Sequence, residues 1–184
     1  MQNIKVEGCM CILTEIDISD SRDICNLRND PVISKYLSNI SPVSVEDQET
    51  WILKNIGSKD GYYFKINDLK NNIFLGTISI YNINQESAEF GRYICTNPIH
   101  ATEAEYLILN FGFEKMNLRR IFCRTADENK SVWNQHLKFG FKNIGYEYLE
   151  SKNLNLIIQE LTYKDYLEFD YSPIINLVSN FSTI

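Results

Sequence analysis

Apolar positions along this chain follow two periods, and the switches between them lay out its elements. Cys11-Ile12-Leu13-Thr14-Glu15 reads as extended, and from Ser19 to Leu27 the residues Ile24, Leu27 and Arg28 recur at helical spacing. Asp30-Pro31 restarts a helix, since an Asp accepts free amides at a helix start and Pro suits the first helical position. Ser44 with Asp47 resembles a capping box ahead of Trp51, Ile52 and Ile56. These segments predict a helical arm.

Period two then takes over. Tyr62 to Ile66, Phe74 to Tyr81 and Ala88 to Cys95 alternate as strands, and the short polar links between them predict an antiparallel meander. Beyond it the order becomes helix, strand, helix, strand. Ala104, Leu107, Ile108 and Phe111 form one helical stripe, Arg120 to Thr125 is a strand, and Lys130 to Phe139 a helix closed by Gly140. Gly145 interrupts the next strand, and Leu154 to Thr162 is the last. Antiparallel strands followed by helical crossovers predict an α+β fold, a mixed and mostly antiparallel central sheet with helices on both faces. Ser172-Pro173 opens a final helix with Ile174, Leu177, Val178 and Phe181 on one side, expected to cover a sheet edge or a second subunit in a homodimer.

Composition narrows the class. At 184 residues, 44% of them hydrophobic, the chain supports one core, read as a single domain over 1–184 with 163–184 a C-terminal extension. A net charge of -6 with 18 scattered Lys and Arg argues against nucleic acid. Met1 to Glu7 lacks a basic stretch followed by an apolar run, and no stretch of about 18 apolar residues occurs, so the expectation is a cytoplasmic protein without a membrane partner. Cys9, Cys11, Cys25, Cys95 and Cys123 form no metal-ligand spacing with His100 or His136; buried thiols and no metal are expected.

Glu89 to Ile94, Ala101-Thr102-Glu103-Ala104, Asn117 to Ile121, Asn129 and Lys138-Phe139-Gly140-Phe141, in that order and spacing, resemble the acetyl-coenzyme A core of the Gcn5-related N-acetyltransferase superfamily. The likeness is greatest to ribosomal-protein acetyltransferases and sugar-nucleotide N-acetyltransferases. It implies a V-shaped splay between two parallel strands, Glu89 to Cys95 and Arg120 to Thr125, that admits the pantetheine arm of acetyl-CoA as cosubstrate. Backbone of Tyr93, Ile94 and Cys95 would hold that arm with Asn129, while amides of Ile99, His100 and Ala101, with Thr102, would hold the pyrophosphate at a helix start. One departure stands out: where the family carries a glycine-rich turn, this chain has Thr96-Asn97-Pro98-Ile99-His100.

The resemblance also implies roles at the reacting centre. Glu89 would take the amine's proton, or else be a solvated carboxylate; His136, where relatives place a tyrosine, would protonate the leaving thiolate, or else be core. Arg28, Tyr36, Trp51 and Tyr81 would face the acceptor. Transfer of acetyl to a small-molecule primary amine is the expected function, with an amino-sugar nucleotide as acceptor. Protein N-termini, aminoglycoside-like amines and a non-catalytic acyl-CoA-binding module are the alternatives.

Overall fold

A computed structural model describes residues 4–34, 37, 42–150 and 153–182. One sheet holds eight strands. They are β1 (Lys5–Glu7), β2 (Cys11–Glu15), β3 (Gly61–Asp68), β4 (Phe74–Tyr81), β5 (Ser87–Cys95), β6 (Arg120–Ala126), β7 (Lys142–Leu149) and β8 (Leu154–Thr162). The helices are α1 (Ser21–Asn29), α2 (Pro31–Ser34), α3 (Val45–Asn55), α4 (Pro98–Asn110), α5 (Lys130–Leu137), α6 (Tyr163–Glu168) and α7 (Ser172–Ser182). The strand order is β1-β2-β3-β4-β5-β6-β8-β7, and only β5 and β6 run parallel.

Alternation along the strands separates two apolar layers. Phe64, Ile66, Ile78, Ile80 and Phe90 meet Ala104, Ile108 and Phe111 in the main core, which Phe139 and Leu161 extend. Ile16, Ile24, Ile52 and Tyr63 form a smaller cluster beneath the helical arm, flanked by Trp51, Phe74 and Tyr81. The arm's caps follow the sequence: Val32 donates its amide to Asp30, and Asp47 to Ser44. α2 is a single turn.

Two expectations need correction. Among the described residues the C-terminal helix packs chiefly along α4 and not along a sheet edge, with Val178 buried, and Tyr171 before it lies against Tyr106 at 5.5 Å. Cys9 is exposed because it sits in the β1–β2 turn, and Cys95 is half-buried, so only Cys11, Cys25 and Cys123 are buried thiols. Glu103, within the Ala101–Ala104 stretch, is structural. From α4 its buried carboxylate accepts the amides of Cys9, Met10 and Cys11, tying the β1–β2 turn to the helix. Gly8 leaves room for it, since a Cβ there would sit 2.5 Å from the carboxyl carbon.

Candidate active site

The parallel pairing of β5 with β6 lasts three residues, Ser87 to Glu89 against Arg120 to Phe122. Past Glu89 the facing edge of β5 has no strand partner among the described residues, so its backbone amides and carbonyls are left for another extended, amide-bearing group. A bulge follows in β5. Ser79 faces Gly91 while Thr77 faces Ile94, so Arg92 and Tyr93 together oppose Ile78. Arg92 takes the strain, with φ of 48°, a left-handed backbone that side chains other than Gly and Asn rarely adopt.

The Glu89 carboxylate sits at the vertex and is buried, not solvated. Tyr81 Oη (3.0 Å) and Arg124 Nε (3.1 Å) donate to Oε1, and Asn82 Nδ2 (2.8 Å) and Arg124 Nη2 (2.9 Å) donate to Oε2. Four donors occupy the four lone-pair sites of a carboxylate, so Glu89 has none to spare for direct contact with an amine. Burial, and then the Glu89 charge, push the Tyr81 hydroxyl well above its ordinary range. Tyr81 therefore keeps its proton and donates it to Glu89.

His136 is a core residue here. It is 3% exposed and packs against Phe90 and Phe141, with centroids at 5.3 and 5.5 Å. Gln159 gives its amide nitrogen to Trp133 O and Asn143 Oδ1, so its Oε1 at 3.0 Å is an acceptor and fixes the proton on His136 Nδ1. Burial lowers the imidazole pKa to about 4, which keeps the ring neutral at pH 7. The remaining nitrogen, Nε2, carries no proton to give, so this arrangement does not support the proton-donor role.

At the start of α4 the expected free amides are taken. Asn97 Oδ1 accepts from Ile99 N (3.0 Å) and His100 N (3.2 Å), and Ala101 N donates to Asn97 O. A capping side chain fills the place that the glycine-rich turn leaves for phosphate in the family pattern. Thr102 Oγ1 donates to Pro98 O. The His100 ring, meanwhile, ties α4 to β3 through Asp68 at 2.9 Å. The amide of Asn71, followed by the His100 ring, holds the Asp68 carboxyl below the usual carboxylate range.

A chain of polar groups runs from β5 to α4 and α5 beyond the vertex. Tyr93 Oη donates to Ala101 O and accepts from Gln135 Nε2, which also donates to Glu105. Burial raises the Glu105 pKa to about 8 and the Cys95 thiol to about 11. Asn129 precedes α5 and accepts from Ser131 Oγ.

Beneath the helical arm, Trp51 and Tyr63 meet edge to face at 4.9 Å, and Tyr63 stacks with Tyr81 at 6.4 Å. Arg28 of α1 lies near, and Tyr36 falls outside the described residues. Arg92, Tyr63, Arg124, Glu105 and Gln135 escaped the sequence reading. A signal for the Arg92 bulge exists, because Phe90 and Tyr93 both reach the main core although unbroken alternation would send them to opposite faces.

A family model described as an acetyltransferase (GNAT) domain matches residues 11–142. An uncharacterized N-acetyltransferase p20 of Bacillus licheniformis is 29% identical over 64% of this chain and 70% of its own. Another, YnaD of Bacillus subtilis (strain 168), is 24% identical over 73% and 81%. Among solved structures, apo FdhC, a nucleotide-linked sugar GNAT, superposes with a TM-score of 0.77 at 23% identity, covering 90% of this chain and 94% of that one. The spermidine N-acetyltransferase of Vibrio cholerae in complex with CoA and spermine gives 0.75 at 23%, covering 87% and 99%.

Proposed function

Since this chain belongs to the acetyltransferase (GNAT) domain family, and is an N-acetyltransferase by family, we propose that it moves acetyl from acetyl-CoA to the amine of an amino-sugar nucleotide. The carrying observation is the parting of β5 from β6 after three residues of parallel pairing. That opening fits a pantetheine arm, whose amides match the β6-facing backbone edge along Tyr93, Ile94 and Cys95, with Asn129 at the head of α5. The pyrophosphate fits less directly, because it must share the amides of Ile99 and His100 with Asn97.

Acetyl-CoA supplies the activated acyl group; this chain's residues supply position and proton transfer. Backbone amides past the bulge are placed to stabilise a developing oxyanion. With Glu89 fully engaged, the amine's proton travels through Tyr81. The Tyr81 hydroxyl donates to Glu89 Oε1 and keeps its own lone pairs for an acceptor N–H, so that the proton passes on to the carboxylate in one relay. His136 takes no part, and the thiolate departs along β5, on the side of Tyr93 and Gln135.

Support for the acceptor comes from Trp51 of the arm and Tyr81 of β4, which supply aromatic surface capped by Arg92, and from Arg28 of α1, a charge for phosphate. A second reading, a non-catalytic acyl-CoA-binding module, draws on the clamped Glu89 and the buried His136. Two measurements separate them. Saturating acetyl-CoA at 100 times its dissociation constant should add about 2.7 kcal/mol of stability. Thiol release should then follow addition of an amino-sugar nucleotide, ahead of aminoglycosides and N-terminal peptides. Binding without release on any amine would leave the module, and no stabilisation at millimolar acetyl-CoA would remove both.

A further inference from the structure

The bulged end of β5 is a strained shape that something must hold. Arg92 keeps a φ of 48°, and a residue other than glycine stays there only where its surroundings over-determine it. The hold is on its neighbour. Tyr93, on the same side as Phe90 with ring centres 5.6 Å apart, donates its hydroxyl hydrogen to Ala101 O of α4 at 2.6 Å. Gln135 of α5 donates to that hydroxyl at 3.2 Å and to Glu105 Oε2 of α4 at 2.6 Å. On the β4 flank Gly76 gives the bulged chain room, since a Cβ there would overlap the Ile94 carbonyl.

These hydrogen bonds have one direction. Gln135 Nε2 carries two hydrogens, one for Glu105 and one for the Tyr93 oxygen, which leaves the Tyr93 hydrogen for Ala101. Glu105 ends the chain from a wholly buried position, and its Oε1 has no hydrogen-bond partner. Burial pushes its pKa up to about 8, so at pH 7 it is mainly the neutral acid, the form a buried carboxyl with one donor tolerates. Tyr93 of β5, Cys123 of β6 and Tyr171 ahead of α7 feel its charge, and burial keeps all three neutral well beyond that pH. An ionised Glu105 competes for the Gln135 hydrogen that Tyr93 now accepts.

We propose that Glu105 and Gln135 are positioning residues for the cofactor: through the Tyr93 hydroxyl they fasten the bulged end of β5 in the shape that takes the pantetheine arm. Neither residue touches the reacting atoms. The fastening holds while Glu105 is neutral and loosens when it ionises, so affinity for acetyl-CoA falls in alkaline solution. The inference rests on the acetyltransferase reading for the identity of the ligand, while the fastening of β5 rests on the hydrogen bonds alone.

Acetyl-CoA is titrated calorimetrically at pH 7 and pH 9 into the wild type, Glu105→Gln, Glu105→Leu and Gln135→Leu. Wild-type affinity should fall roughly tenfold at pH 9, as when only the neutral form is competent. Glu105→Gln keeps an acceptor for Gln135 without a titrating proton; it should bind as the wild type does at pH 7 and lose that fall, the cofactor's own titration being common to both. The two Leu variants should bind at least roughly tenfold more weakly at pH 7. Deuterium uptake of the free protein at Tyr93, Ile94 and Cys95 should be faster in Gln135→Leu than in the wild type. Leu variants that bind like the wild type would overturn the proposal, as would the same alkaline fall in Glu105→Gln. Should a Leu variant fail to fold, the two pH profiles decide. If the wild type does not bind acetyl-CoA, the acetyltransferase reading falls, and the fastening stands or falls on uptake at those three residues.

Discussion

Arg124 of β6 grips Glu89 of β5 at two points, Nε to Oε1 at 3.1 Å and Nη2 to Oε2 at 2.9 Å, just past the last backbone rung joining the strands. The pair acts as a strut where main-chain pairing gives out. Arg124→Met would leave a buried carboxylate with only Tyr81 and Asn82. The expected loss is about 2 kcal/mol, towards the low end for a broken pair because Arg124 is partly exposed and water replaces some contacts. Urea denaturation checks it. Adding Glu89→Gln should cost less than the sum of the two single losses; additive losses would mean the two residues are not coupled.

Activity should follow the hydroxyl that stands between Glu89 and the acceptor. Tyr81→Phe and Glu89→Gln should each lower kcat by roughly 10²-fold, and the double variant should be no worse than either alone, as expected of one proton route. Normal turnover by Tyr81→Phe in a thiol-release assay would exclude the relay.

The His136 ring titrates near pH 4 when folded and near 6.5 when unfolded, so the unfolded chain takes the proton first. Its contribution is complete above pH 6.5 and is lost as pH falls through 4, up to about 3 kcal/mol. Glu105 acts with the opposite sign: its pKa is raised to about 8, so its contribution is greatest below the unfolded value and declines as pH rises towards 8. Comparing wild type with His136→Phe cancels Glu105. The difference in stability between pH 7 and pH 4.5 should shrink in the variant, and an unchanged difference would show that His136 is not buried neutral.

Asn97 competes with any pyrophosphate for the same two amides. Asn97→Ala should therefore weaken the helix start by about 1 kcal/mol while tightening coenzyme A binding. Calorimetric titration checks both halves, and weaker binding would place the pyrophosphate elsewhere.

Local pattern carried most of the fold. Phe74–Tyr81 and Leu154–Thr162 match their predicted bounds because clear alternation ends in turn residues or a helix cap. β1 was missed, being three residues with exposed Lys5 and Glu7, and α6 was missed because one turn and a half shows too little periodicity. The site was less legible. Glu89 reads as a free carboxylate until Arg124, 35 residues on, is brought beside it. His136 shares a helical stripe whatever its role, and only Gln159, reached across the fold, fixes its proton. Arg92 looks like an ordinary strand residue until the bulge turns it onto Trp51.

The grip of Glu103 on the β1–β2 turn ties an edge of the sheet to a helix more than ninety residues away in sequence. A two-strand ribbon at a sheet edge ordinarily opens on its own, and its amides exchange with solvent at the rate of local fraying. Here the amides of Met10 and Cys11 end on a carboxylate rooted in α4, so that releasing them means moving the helix as well. Deuterium uptake at the turn then reports on the cooperative opening of the domain's centre, which makes this edge a remote gauge of whether a ligand in the splay has stiffened α4.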